Sequence, residues 1–101
     1  MTDGMDVTLH VPGALAGYAG GRREVRVALG AGELATTVSG VLDRVAAELP
    51  ALERRIRDEN AAIRRHVNVY VDGADIRTLS GAQTTVPAGG VIDVIAAVSG
   101  G

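Results

Sequence analysis

One helical stripe set between two pairs of alternating runs limits the folds open to this chain. Val38, Val41, Leu42, Val45 and Leu49 recur at the three- and four-residue spacing that lines one side of an α-helix. Thr36 and Thr37 stand just ahead of them as candidate N-caps. Before the stripe, Val7, Leu9 and Val11 alternate with Thr8 and His10 until Pro12 stops the run, and Val25, Val27 and Leu29 alternate with Glu24, Arg26 and Ala28. Beyond the stripe, a third strand is predicted over 66–71, with Val67, Val69 and Val71 inward and Asn68 and Tyr70 outward, closed by an Asp72-Gly73 turn. A minor strand is expected through Ile76 and Leu79. The glycines Gly89 and Gly90 then turn the chain into a last run, where Ile92, Val94 and Ala96 share one face and Asp93, Ile95 and Ala97 the other. The order β, β, α, β, short β, β predicts an α+β fold in which a mixed sheet of four or five strands packs on one main helix. Its first and last strands can pair in parallel at the centre through a right-handed crossover. The stripe is expected to pack on Val7, Val27, Val69 and Val94 as the main core.

Several local features refine this expectation. Gly40 inside the helix costs about 1 kcal/mol against Ala, so a close approach of helix to sheet is the predicted reason for it. Pro50 suits only a first helical turn, so a second short helix is expected there, with Leu52 and Ile56 on its apolar side. The segment 14–21, with Gly17, Gly20 and Gly21, reads as a plain loop, because it lacks the Gly-Lys-Ser/Thr ending of a phosphate-binding loop and joins two strands. Glu53 and Arg57 stand four apart in the favourable order. The cluster Arg54, Arg55, Arg57, Arg64 and Arg65, interleaved with Glu53, Asp58 and Glu59, reads as a solvated face.

The chain is 101 residues long, the size of one domain over 1–101, with the tail 98–101 following the last run. It has no Cys and no Lys, so it offers no thiolate, no disulfide and no side-chain amine. Its net charge is −2, and Phe and Trp are absent, which argues against nucleic-acid binding by a basic surface or by base stacking. Neither a secretion signal nor an apolar run of membrane-spanning length is present, so no membrane partner is expected and the default location is cytoplasmic. His10 and His66 are isolated imidazoles expected to face solvent or to serve in packing, and no metal site or bound cofactor is predicted for this chain. The spacing nominates no catalytic triad or carboxylate pair, so the chain is not expected to be an enzyme. The tail Val98, Ser99, Gly100, Gly101 is the candidate reactive group, since a terminal glycine places no Cβ beside its carboxylate and can enter a narrow tunnel. Asn68, Tyr70 and Ile95, on the sheet face away from the helix, join Val98 as candidate partner-binding residues.

Three stretches resemble a known family. They are Val11-Pro12 with the later Gly20-Gly21, the segment from Val67 through Asp72-Gly73 to Arg77, and the ending Ala97-Val98-Ser99-Gly100-Gly101. Together they are similar to the ubiquitin-like β-grasp sulfur carriers of the MoaD/ThiS family, nearest to its CysO-type members. The chain departs from the family pattern at His66, Ala96 and Gly89-Gly90, where an aromatic, a proline and an acidic turn are common. The resemblance implies that Gly101 is adenylated by a separate MoeB/ThiF-like enzyme using ATP and Mg²⁺ and becomes a thiocarboxylate. It further implies a downstream sulfur-accepting synthase and a metalloprotease that releases product. Cysteine biosynthesis leads among the pathways, ahead of molybdopterin synthesis, thiazole synthesis and natural-product sulfuration. A ubiquitin-like modifier joined to lysines and a non-reactive interaction module remain open beside the carrier.

Overall fold

A computed structural model describes residues 6–96. Strand β1 (Asp6–His10) buries Val7 and Leu9 completely, and it pairs antiparallel with β2 (Glu24–Ala28) so that Val7 faces Val27 and Leu9 faces Val25. Strand β3 (Ala35–Thr37) leads directly into helix α1 (Val38–Glu48), and the Thr37 hydroxyl caps the helix by accepting from the Gly40 N–H at 3.0 Å. Helix α2 (Pro50–Ile56) begins on Pro50, whose missing N–H costs nothing in a first turn. Strands β4 (Val67–Val71) and β5 (Ala74–Asp75) flank a two-residue turn in which Asp72 and Gly73 both take positive φ, 48° and 89°. That is the mirror-image turn whose twist matches antiparallel strands. After β6 (Thr85–Pro87), strand β7 (Val91–Ala96) closes the sheet.

The sheet order is β2-β1-β7-β4-β5, with β7 parallel to β1 and antiparallel to β4. This is a β-grasp. The stripe residues Val38, Val41, Leu42 and Val45 are buried in one cluster with Val7, Val27, Val69 and Val94, as expected, and Leu49 packs at its margin. No helix among the described residues is long and apolar enough to cross a membrane.

Five local expectations need correction. The segment expected to be a loop winds into a 3-10 helix (Gly13–Ala19) that buries Leu15 and Ala19, because these two apolar residues join the main core cluster. Arg55 of α2 lies over the Tyr18 ring at 4.5 Å, which ties this segment to the second helix. The arginine cluster is not wholly solvated: Arg57 is 4% exposed, with its Nε donating to Glu53 Oε2 at 2.8 Å and its Nη2 3.0 Å from Asp43 Oδ1. A Cβ at Gly40 would meet the Thr36 hydroxyl rather than the sheet, so the capping turn and not helix–sheet distance asks for glycine there. The return after Gly73 pairs for only two residues before a 3-10 turn (Ile76–Thr78) that buries Ile76 and leaves Leu79 52% exposed. His66 lies in the turn before β4 and is not part of the strand. A second small sheet, β3 with β6, was not foreseen; it places the fully buried Val86 over one end of the core.

Candidate functional site

The predicted tail, Val98, Ser99, Gly100 and Gly101, lies outside the described residues. What the structure does fix is the strand that leads toward it. β7 runs between β1 and β4, so both its edges are hydrogen-bonded, and its last described residue, Ala96, pairs with Val67. Val91 N–H, at its start, donates to the Asp72 carboxylate at 2.9 Å, which fastens the strand to the β4–β5 turn.

Strand alternation sends Ile92 and Val94 into the core, and the same alternation sends Asp93 and Ile95 to the opposite face. Register then assembles two rows across the sheet. His10 of β1, Asp93 of β7 and Tyr70 of β4 lie side by side, and in the next row Ile95 faces Asn68. Three of the four sequence-predicted partner residues, Asn68, Tyr70 and Ile95, are thus brought together on one face, and the fourth, Val98, lies outside the described residues. Ile95 is half exposed, whereas Asn68 and Tyr70 are partly buried.

This face carries a groove of about 560 Å³ lined by His10, Pro12, Arg23, Tyr70, Asp93 and Ile95, among others. Its wall after β1 is held by the Arg23 Nε, which donates to the Val11 carbonyl at 2.8 Å. His10 was expected to be isolated; instead its Nδ1 donates to Asp93 Oδ1 at 2.6 Å. An ionised carboxylate only accepts, so the proton sits on Nδ1 and leaves Nε2 as the free hydrogen-bonding atom of the ring. The arrangement offers an apolar contact at Ile95 beside a polar row of imidazole, carboxylate and phenol. Such a mixed surface suits recognition of a folded partner better than chemistry on a small molecule. Among the described residues, no group of three or more His, Cys, Asp or Glu is placed to hold a metal ion.

Sequence reasoning missed the His10–Asp93 pair because the two residues are 83 positions apart and meet only through the β1–β7 register. The signal available was an aspartate interrupting the most apolar run of the chain, on a strand expected to neighbour the one that carries His10.

Comparison with known proteins follows the same lines. The ThiS family matches over residues 18–101. The sulfur carrier protein CysO of Mycobacterium tuberculosis is 27% identical over 99 residues, covering 96% of this chain and 100% of its own. A chain of the crystal structure of the Amycolatopsis orientalis BexX/CysO complex superposes with a TM-score of 0.79 at 30% identity, over 94% of this chain and 99% of that one. Small archaeal modifier protein 1 of Haloferax volcanii gives a TM-score of 0.75 at 26% identity, over 94% of this chain and 100% of the other. These neighbours share the ubiquitin-like β-grasp read from the strand order above.

Proposed function

Because the chain belongs to the ThiS family, we propose that it is a sulfur carrier whose Gly101 carboxylate is adenylated and then converted to a thiocarboxylate. The observation that carries this reading is the family match, which extends through the terminal Gly100-Gly101. A carboxylate is a poor electrophile until one oxygen becomes a leaving group. In the proposed sequence a Gly101 oxygen attacks the α-phosphorus of ATP and expels pyrophosphate, and a sulfur nucleophile then adds to the acyl carbon and expels AMP. ATP, Mg²⁺ and the donors that stabilise these steps belong to a MoeB/ThiF-like partner. The carrier contributes a thin tail and a docking face, and it binds no cofactor itself. Similarity to CysO favours cysteine biosynthesis as the route that receives the sulfur, with molybdopterin, thiazole or natural-product synthesis behind it. A downstream synthase and a product-releasing metalloprotease complete that route, in the cytoplasm.

The BexX/CysO complex supports a protein partner, since a relative of this chain is held there in an assembly. The likeness to an archaeal modifier protein favours a second reading, attachment of the same terminus to lysines of other proteins. Intact-protein mass spectrometry after incubation with the adenylating enzyme, Mg-ATP and a sulfur source tests the first. The expected product gains the mass difference of one oxygen replaced by one sulfur, localised to the C-terminal peptide, and deletion of Gly101 prevents it. Equal modification of both forms, or sulfur mapped elsewhere in the chain, overturns the proposal. Recovery of the chain joined to lysines of other proteins with no thiocarboxylate formed would select the modifier.

A further inference from the structure

The sheet ends on β2, whose one strand neighbour among the described residues is β1. Just before the two strands pair, the Val11 N–H donates to the Arg23 carbonyl at 2.8 Å. Antiparallel alternation from that bond turns the N–H and C=O of Val25 and Val27 toward β1 and those of Glu24, Arg26 and Ala28 outward. The Thr8 N–H, opposite Arg26, accordingly points the other way and donates to the Gly90 carbonyl at 3.0 Å. Glu24, Arg26 and Ala28 are exposed, in contrast to the buried valines between them. The Ala28 carbonyl accepts from Arg44 Nη1 at 3.4 Å, which leaves Glu24 and Arg26 as the stretch of edge that a further strand can join.

Charge alternates along this stretch. Glu24 and Arg26 share the outer face with exposed side chains, and their approach of 3.8 Å is too long for a hydrogen bond. A strand bearing one sign of charge would meet one of the two unfavourably. A strand with Arg opposite Glu24 and Glu opposite Arg26 meets both, and β2 itself, read in reverse, has that order. A groove of about 280 Å³ opens between this edge and the end of α1, with Val25, Val27, Ala47 and Leu49 as its apolar lining.

We infer that the β2 edge is a self-association surface, on which a second copy of this chain lays its own β2 antiparallel about a two-fold axis through Val25 and joins the two sheets. Glu24 of each copy then stands opposite Arg26 of the other, and about four backbone hydrogen bonds bridge the strands. Charge singles out this register. An axis at Glu24 or at Arg26 sets like charges opposite one another, and an axis at Val27 needs the Ala28 carbonyl that Arg44 already holds. An axis between two residues would set outward groups against inward ones. Because β1 separates β2 from β7, the dimer leaves the face around Ile95 free, and it does not depend on the sulfur-carrier reading.

Sedimentation equilibrium of the full chain at low salt, at concentrations up to about 1 mM, is expected to show a monomer–dimer equilibrium that weakens as salt rises. Arg26→Glu and Glu24→Arg, on exposed side chains, are each expected to weaken it about tenfold with unchanged thermal midpoints. An equimolar mixture of the two variants restores the opposed charges and is expected to associate as the unaltered chain does. Hydrogen exchange at the Glu24 and Arg26 amides of the ¹⁵N-labelled unaltered chain should slow as its concentration rises, which locates the contact without any variant. The inference is overturned by any of four results: a monomer throughout the range, a dimer that both charge reversals leave unweakened, a mixture that associates no better than its parts, or edge amides that slow only when a peptide alternating Arg with Glu is added, which would assign the edge to another protein's strand.

Discussion

At the scale of single residues, the arginine that the charge pattern placed in water proves to be dry. Arg57 links Glu53 of its own helix to Asp43 of α1, and its Nη1 is buried without a partner. Removing the cation alone would strand the Glu53 carboxylate in a pocket only 9% exposed. Arg57→Met is therefore expected to cost about 3 to 5 kcal/mol, and the double variant with Glu53→Leu to recover much of that loss. Chemical denaturation of the two single variants and the double variant checks it; additive losses would mean that the pair is not coupled. Leu42, 1% exposed on the helix stripe, is expected to cost about 2 to 5 kcal/mol on change to Ala, read by the same denaturation curves. Gly100→Val belongs to the proposed chemistry: added bulk at the tail should block adenylation while the thermal midpoint of the body stays put.

At the scale of elements, the outer face of β7 and β4 supplies the next test. Ile95 is 50% exposed beside Asn68, so Ile95→Glu is expected to leave the fold intact and to weaken complex formation with the adenylating enzyme, measured by calorimetric titration. Undiminished affinity would move the docking face elsewhere. Elements long enough to show a period were legible in the sequence, and short ones were not. The runs around Val7, Val25, Val67 and Ile92 alternate for five or six residues, and α1 repeats its stripe over three turns. Strands β3 and β6 have three residues each, too few for alternation to register, and they exist because Val86 needs covering at the end of the core. The 3-10 helix around Leu15 was hidden by its glycines, which usually mark loops. Likewise an i,i+4 pair such as Glu53–Arg57 looks the same in sequence whether it lies in water or beneath another segment. Of the candidate site, the face of Asn68, Tyr70 and Ile95 followed from alternation alone, while the His10–Asp93 bond required a register that no local pattern encodes.

For the whole molecule, surface carboxylates set the response to acid. Glu33 accepts from Arg44 at 2.8 and 3.0 Å and from the Gly30 N–H, which hold its carboxyl below the usual range. Backbone N–H groups of Ala62 and Asn60 do the same for Asp58, and Arg77 does so for Asp75. A carboxyl depressed in the folded state binds fewer protons there than when unfolded. Its contribution is complete above the ordinary carboxylate pKa and is lost as pH falls through the lowered folded value. The thermal midpoint is expected to decline across that acid window. Glu33→Gln should flatten the decline, more visibly at low salt because these groups are exposed. An unchanged slope would show that other groups govern the acid limb.

The parallel pairing of β1 with β7 also has a mechanical meaning. β1 begins at Asp6 and β7 ends at Ala96, and the two strands run side by side in the same direction with Thr8 opposite Val91 and His10 opposite Asp93. Tension applied between the two ends of the chain therefore slides the strands along one another. The cross-strand bonds share that load together, instead of parting one at a time as they would in an unzipping hairpin. A machine that pulls the C-terminus while the other end of the chain is held loads the β1–β7 bonds in shear.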